Sequence, residues 1–200
     1  HVVVISDEIH CDLTDPGYEY VPFASVSEHC RENSVICLAP TKAFNLAGIQ
    51  TAAVAVANPW LRHKVWRGLN TDEVAEGNVF AVEAPIAAFN EGEEWLDELR
   101  AYILENKRIV QEYVDRELPK IHVITSQATY LLWLDCGAYG KEAREIADFI
   151  RRETGLFLSA GEQYGGNGRC FLRMNLACPR STVRDGLERL KKGLAAYEKA

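Results

Sequence analysis

The sequence lacks both a surplus of basic residues and any long apolar segment. Its 200 residues carry 22 Lys and Arg against 29 Asp and Glu, which gives a net charge of −7 at pH 7. Because an acidic surface attracts neither nucleic acid nor an anionic membrane, we expect neither as a partner. No apolar stretch approaches the roughly 20 residues that a membrane-spanning helix needs.

Paired cysteine motifs are also missing. The six cysteines form no CxxC pair and have no histidines at metal-ligand spacing, so the sequence predicts no metal site. Cys11, Cys37, Cys136 and Cys170 lie in or beside apolar runs, where we expect buried thiols. No signal peptide is visible, so the reducing cytoplasm is the expected location.

The chain has no initiator Met and begins inside a predicted strand. Residues 2–5 are a continuous β-branched run, which is typical of a strand covered on both faces of a parallel sheet. Because a complete protein seldom starts inside its own sheet, we expect that an N-terminal portion of the protein is missing.

The rest of the chain alternates strand and helix patterns, which predicts an α/β fold. After a strand at 51–57, Asn58 is a good N-cap and Pro59 suits the first helical position. We expect a large-domain remainder at 1–91, a connecting helix at 92–118 and a small α+β domain at 119–200. The predicted strands are 2–5, 35–38, 51–57, 121–125, 129–135, 156–159 and 170–177, and the predicted helices are 72–90, 93–118, 141–153 and one from 181.

Three polar residues follow the first two predicted strands. Asp7 and His10 come just after the first strand, and Lys42 comes a few residues after the second. Ligands of open α/β sheets gather at the carboxyl ends of the strands. If the two strands are neighbours, Asp7 and Lys42 face the same crevice. Taken singly, each is also compatible with an ordinary turn or loop residue.

Arg173 lies inside an apolar strand pattern. Period-2 alternation places Phe171 and Asn175 on the same face as Arg173, with Leu172 and Met174 on the opposite face. A guanidinium in such a strand is costly unless it is paired. The pattern alone leaves open a structural ion pair or a ligand contact.

Several segments resemble one enzyme family. Residues 39–48, Ala-Pro-Thr-Lys-Ala-Phe-Asn-Leu-Ala-Gly, resemble the Schiff-base lysine motif of fold-type I pyridoxal-phosphate (PLP) enzymes, and residues 6–13 resemble the matching aspartate segment. The likeness continues through 93–99, 128–135 and 171–180. The chain thus resembles the MalY/PatB-type cystathionine β-lyase branch of the class I/II aminotransferase superfamily.

The resemblance implies PLP as cofactor and a role for each matching residue. Lys42 matches the lysine that holds PLP, and Asp7 matches the carboxylate that pairs with the ring nitrogen. Arg173 matches the arginine that binds the substrate carboxylate as a bidentate fork. His10 stands where many aminotransferases carry a tyrosine, so we expect a supporting role for it. The hydroxyl of Thr41, beside the lysine, is a further cofactor contact.

The resemblance also implies an activity and an architecture. The chain would be the C-terminal part of such an enzyme, with part of the mixed, mainly parallel large-domain sheet and a small α+β domain. The expected enzyme is a carbon–sulfur β-lyase, a homodimer that converts a small amino-acid substrate to pyruvate, ammonia and a thiol. An aminotransferase is the alternative, since the same residues serve both reactions. A non-catalytic fragment or a binding domain is a further alternative.

Some positions depart from the family pattern. Eight residues past Lys42, many aminotransferases have an arginine that contacts the phosphate, and here that position is Gln50. Ala39 stands where many relatives have serine. Phosphate binding would then depend on a helix N-terminus and backbone amides. The resemblance implies that those groups, and an aromatic side chain that stacks on the cofactor ring, come largely from the N-terminal portion that we expect to be missing. For that reason we expect these 200 residues alone to bind PLP weakly or not at all.

The glycine-rich stretch 161–168 does not change this picture. It lacks the Lys-Ser/Thr pair and the following helix of a P-loop, so we interpret it as a strand connection near the site.

Overall fold

The computed structural model describes residues 2–200 and divides the chain into two compact units, His1–Arg100 and Ala101–Ala200. Each unit contains one sheet together with helices, so the α/β class predicted from the sequence is confirmed. The finer domain boundaries expected from the sequence, at 91 and 118, stay a prediction. Within residues 2–200, no helix combines the length and the apolar character that crossing a membrane requires.

The sheet of the first unit has three strands in the order β1-β2-β3. Strand β1 (Val4–Asp7) runs parallel to β2 (Ser34–Leu38), and β3 (Ala53–Ala55) runs antiparallel to β2. The prediction that the first strand is covered on both faces is wrong for the described residues, because Ile5 is 72% exposed. A β-branched run favours a strand, but cover for its faces must come from other elements.

Two helices of the first unit begin at residues whose side chains cap the first turn. In α1 (Glu28–Glu32), the Ser27 Oγ atom accepts a hydrogen bond from the Cys30 amide at 3.1 Å. In α2 (Pro59–Thr71), the Asn58 Oδ1 atom accepts from the amides of Trp60 and Leu61 at 3.0 and 3.2 Å. The predicted N-cap at Asn58 is therefore confirmed, since it satisfies two amides that the first turn leaves free.

The predicted helix at 72–90 is only partly present. Its second half forms α3 (Glu83–Glu91), with Pro85 in the first turn, where proline is tolerated. Residues 72–82 are not helical, and Glu73 has a left-handed φ of 57°. The Asn78 Oδ1 atom accepts from the Phe80 amide at 2.9 Å, a local bond that competes with helical pairing.

The predictions for the remaining elements agree with the structure to within a few residues. Helix α4 covers Glu93–Glu117, and α5 covers Ala143–Thr154, followed by the C-cap Gly155 with a φ of 74°. The four strands of the second unit form an antiparallel sheet in the order β4-β5-β7-β6. The bounds are β4 His122–Val123, β5 Leu131–Asp135, α5 Ala143–Thr154, β6 Ser159–Ala160, β7 Phe171–Asn175 and α6 Arg180–Tyr197.

The main core of the second unit lies between this sheet and its helices. Strands β5 and β7 contribute alternate residues to it, and α5 packs against α6. Each fully buried Leu or Ile contributes about 1.5–3 kcal/mol relative to an exposed one. Side chains with no exposed surface include Leu134, Ile146, Ile150, Leu172, Leu176, Leu187 and Leu190.

A tight turn leads into β7. It consists of two short 3-10 helices, Gly161–Tyr164 and Gly166–Cys170, whose backbones touch at Gly161 and Gly168. A Cβ atom at either glycine would overlap the backbone of the other, and a Cβ at Gly161 would also lie 2.9 Å from the Trp133 ring. Only glycine fits both positions, and the turn holds Tyr164 beside the sheet as a result.

The cysteines are less uniformly buried than the sequence suggested. Cys136 is fully buried, while Cys11 and Cys37 are half-buried. The prediction of a buried thiol is wrong for Cys170, which is exposed. This residue ends the 3-10 helix before β7, where the sheet's own strand pattern has not yet begun.

Candidate active site

Asp7 and Lys42 follow the carboxyl ends of neighbouring strands. The structure pairs β1 and β2 in parallel, with Asp7 opposite Cys37 at the end of the pairing. Lys42 lies in the turn at 40–43 that follows β2. The strand adjacency on which the candidate site depends is therefore confirmed, since parallel strands end at one edge of their sheet.

The Asp7 carboxylate is exposed and open to a cationic ligand. Its Oδ1 atom accepts from the Ile9 amide at 3.2 Å, and no Lys, Arg or His among residues 2–200 forms an ion pair with it. Burial raises the pKa of the Cys37 thiol, and the negative charge of Asp7 raises it further. Because Asp7 and Cys37 are register partners in the β1–β2 pair, their side chains lie on the same side of the sheet.

The turn that carries Lys42 is fixed by its neighbours. The Phe44 amide donates to the Pro40 carbonyl at 2.9 Å, and Ala43 has no exposed surface. The Phe44 ring stacks on Trp95, with centroids 5.8 Å apart. Lys42 itself is exposed, and its ammonium makes no hydrogen bond or ion pair within the described chain.

His10 and Thr41 lie close in sequence to these two residues. His10 is half-buried in a turn in which the Leu13 amide donates to the His10 carbonyl at 3.0 Å. Thr41 is also half-buried, and its carbonyl accepts from the Leu46 amide at 3.2 Å. The structure thus places both residues beside the Asp7–Lys42 edge, and their roles stay predictions.

The groups at this edge fit the ring of PLP. A free carboxylate suits the ring nitrogen, and a free lysine amine suits the aldehyde carbon. The phosphate has less support here, since Gln50 is exposed with a left-handed φ of 52° and Ala39 is buried without a polar side chain. Among residues 2–200, no group of His, Cys, Asp or Glu could hold a metal ion.

Arg173 belongs to the second unit, in the middle of β7. The predicted alternation is confirmed, because Leu172 and Met174 are buried while Arg173 is half-buried on the other face. No carboxylate of residues 2–200 pairs with its guanidinium, which instead lies 4.4 Å from the centroid of the Tyr164 ring. A cation–π contact replaces the ion pair and leaves the N–H donors free for an anionic ligand.

A cavity of about 300 Å³ lies on the same side of the second-unit sheet. Trp133, which is opposite Arg173 in the β5–β7 register, forms part of its wall. The Trp133 ring meets the rings of Tyr164 and Phe171 edge to face, with centroids 5.6 and 5.8 Å apart. The lining residues are Ile124, Trp133, Tyr164, Asn167, Gly168 and Phe171.

Tyr164 is a candidate functional residue that sequence reasoning missed. The sequence predicts only a strand connection at 161–168, which gives its aromatic residue no role. The available signal was a lone tyrosine among glycines, close before the strand that carries an unpaired arginine. Without the fold of the turn, however, the pattern does not say which residue that tyrosine meets.

The chain is similar to known PLP enzymes along almost its whole length. It is 39% identical over 194 residues to the cystathionine β-lyase PatB of Bacillus subtilis, covering 97% of this chain and 50% of PatB. It also matches the structure of PLP-containing cystalysin from Treponema denticola, with a TM-score of 0.88, 32% identity, and coverage of 98% of this chain and 50% of cystalysin.

A PLP-bound C–S lyase from Staphylococcus hominis gives a TM-score of 0.85 at 30% identity, covering 97% of this chain and 50% of that structure. No protein-family model matches the chain. The chain spans about half the length of the curated relatives it matches. In the solved structures, the matching part is the C-terminal half.

Proposed function

We propose that this chain, which corresponds to the C-terminal half of a fold-type I PLP enzyme of the class I/II aminotransferase superfamily, is part of a carbon–sulfur β-lyase. Its substrate would be cystathionine or a similar β-thio amino acid, and its products pyruvate, ammonia and a thiol. The observation that carries the proposal is the 39% identity to a cystathionine β-lyase across 97% of the chain.

Each residue at the Asp7–Lys42 edge would have a separate role toward the cofactor or the substrate proton. The chemistry that bound PLP supplies is an electron sink for a substrate carbanion. Lys42 would hold the cofactor covalently, and its released amine would take the substrate α-proton at Nζ. Asp7 would keep a proton on the ring nitrogen. Thr41 would offer a hydroxyl to the cofactor, and His10 would support it from the adjacent turn.

Arg173 would hold the substrate. Its guanidinium has no carboxylate partner in the described chain, so two of its N–H groups could bind the α-carboxylate of an amino acid. A carboxylate held in a fork fixes the orientation of the α-carbon, which favours removal of its proton in one geometry.

We also propose that the enzyme is a cytoplasmic homodimer. Exposed apolar residues cluster at 79–89 in the first unit, among them Val79, Phe80, Val82 and Ile86, and such a patch is typical of a surface that a partner covers. The six cysteines are free thiols, which suits a reducing compartment.

The central test is Lys42→Ala in the full-length enzyme. We expect loss of the cofactor's Schiff-base absorbance and of pyruvate release, because the amine serves both. Lys64→Ala is the matched control, since this α2 lysine lies over the Trp60 ring and outside the motif segments 6–13 and 39–48. Retention of either signal in Lys42→Ala would contradict the assignment.

A second assay separates the lyase from an aminotransferase. With cystathionine and no keto acid, the lyase releases pyruvate and ammonia, whereas an aminotransferase stays inert after at most one turnover. Activity that appears only on addition of a keto acid would replace the lyase with the aminotransferase.

A further inference from the structure

Two cysteines face each other at the end of the β5–β7 pair. The register sets Asp135 opposite Phe171, which makes Cys136 and Cys170 the next pair along. The Cys136 amide donates to the Cys170 carbonyl at 2.8 Å, and the Cys136 Sγ atom donates to the same oxygen at 2.9 Å. Hydrogen-bonded antiparallel pairs have Cα atoms about 5.5 Å apart, within the range that disulfides span.

The side chain of Cys170 lies over the backbone beside Cys136. A Cβ atom at Gly137 would be 3.6 Å from the Cys170 Cβ and 3.9 Å from its Sγ. Because Gly137 has no side chain, nothing at that position stands between the Cys170 sulfur and its neighbour. The two thiols also interact electrostatically: burial raises the pKa of Cys136 to about 12, and Cys170 contributes to the rise.

The two thiols differ in access to solvent. Cys170 is exposed, so a dissolved oxidant can reach it, whereas Cys136 has no exposed surface. A buried, protonated thiol is a poor first reactant, but it can attack a neighbouring sulfur that has already been oxidised. The pair therefore has the arrangement of a peroxidatic thiol beside a resolving thiol.

We propose that Cys136 and Cys170 form a reversible cross-strand disulfide when the protein meets a hydroperoxide. The Cys170 sulfur attacks one oxygen of the peroxide and the O–O bond breaks. An alcohol departs, or water where the oxidant is hydrogen peroxide, and Cys170 becomes a sulfenic acid. The Cys136 sulfur then attacks the Cys170 sulfur, and its proton departs with the hydroxyl group as water. The protein loses two hydrogens, and the peroxide is reduced by two electrons.

The disulfide would tie the start of β7 to the end of β5, three residues before Arg173. The proposal does not depend on β-lyase activity, because both thiols and the strands that carry them belong to the second unit.

The test is peptide mapping of the fully reduced protein after treatment with hydrogen peroxide. Free thiols should fall from six to four, since two of six enter the bond, and dithiothreitol should restore them. Trypsin, which cuts after Lys and Arg, should yield peptide 121–141 joined to peptide 170–173 before reduction. Neither peptide contains any of the other four cysteines, because Cys11 and Cys30 lie in peptide 1–31, Cys37 in 32–42 and Cys178 in 174–180, so the map identifies the pair.

The variants separate the two roles. In Cys136→Ser, Cys170 should persist as a sulfenic acid that dimedone labels, and in Cys170→Ser no cross-link should form. Cys30→Ser, on α1 in the first unit, is the matched control and should leave the 136–170 bond unchanged. Sulfinic acid at Cys170 with Cys136 still reduced, or a bond between other cysteines, would overturn the proposal. The wild-type map decides the question even if a variant does not fold.

Discussion

At the scale of single residues, the contact of Arg173 with an aromatic ring bears on whether its guanidinium can bind a ligand. A structural arginine in a β-strand would be expected to meet a carboxylate, which neutralises its charge. Here the guanidinium lies 4.4 Å from the Tyr164 ring centroid, and the ring's face attracts the cation without using its N–H donors. The side chain is thus held in place while its hydrogen-bonding groups stay available for a substrate carboxylate.

This contact predicts a specific kinetic effect. In the full-length enzyme, Tyr164→Leu should raise KM for the amino-acid substrate roughly two- to fivefold, the value of an exposed cation–π contact, with a smaller effect on kcat. Tyr164→Phe keeps the ring and is the matched control, so its KM should stay near that of the wild type. An unchanged KM in Tyr164→Leu would show that the ring does not position Arg173.

At the scale of elements, the packing of α6 predicts opposite effects for two glycines. A Cβ at Gly186 would make ordinary contacts at 3.6 and 3.7 Å, so Gly186→Ala should raise the free energy of unfolding by about 0.5–1 kcal/mol through helix propensity. A Cβ at Gly193 would lie 3.0–3.3 Å from three atoms of the fully buried Ile150 side chain, so Gly193→Ala should lower that free energy. Urea unfolding of both variants measures the difference, and equal stabilisation would refute the close packing of α5 on α6.

Helices α4 and α6 are joined by an ion pair that predicts a pH dependence. Lys191 donates to Glu117 at 2.8 Å and, together with Arg116, lowers the pKa of Glu117 from its ordinary 4.5 to about 2. A carboxyl group with a depressed pKa stabilises the folded state above pH 4.5, and this stabilisation is lost as the pH falls towards 2.

Lys191→Met should therefore lower Tm at pH 7, and its difference from the wild type should shrink between about pH 4.5 and 2. Lys192→Met is the matched control, because Lys192 forms no ion pair within residues 2–200. Thermal melts at a series of pH values measure the effect. A Tm difference that persists unchanged at pH 2 would contradict it.

For the secondary-structure elements, local sequence signals predict some features, whereas features that depend on tertiary contacts are not predicted. Local signals predicted α2 through its Asn58 cap, α4 through its periodicity, and β7 through its alternation, because each depends on neighbours in the chain. Of the helix expected at 72–90, the part at 72–82 is not helical, since a side-chain hydrogen bond of Asn78 supports a turn there. The adjacency of Asp7 and Lys42 could be expected only on the condition that their strands pair. The contact of Tyr164 with Arg173 depends on a tertiary turn that no local pattern describes.

At the scale of the whole molecule, exposed apolar surface is concentrated in the first unit. Val79 is 88% exposed and Phe80 64% exposed, and Val82 is similarly open. A chain with this surface is expected to associate with a copy of itself or with another partner.

We therefore expect the 200-residue chain to sediment as a dimer or a larger species at micromolar concentration. Phe80→Ser combined with Val82→Ser should shift it towards monomer, whereas Val26→Ser, at a similarly exposed site outside 79–89, should not. Sedimentation velocity distinguishes these results. A wild-type chain that is monomeric at every concentration would argue against the proposed use of this surface.

The contact between Gly161 and Gly168 limits how the turn can be re-engineered. A library that varies this loop to change substrate preference has two positions it must leave alone, since any side chain at either one would collide with the opposite backbone. Gln163 and Asn167 are exposed and can be varied more freely. The Gly161–Gly168 contact therefore fixes the backbone of the turn, while the side chains around it can change. Selection for new specificity would be most productive at positions around Tyr164, with both glycines kept.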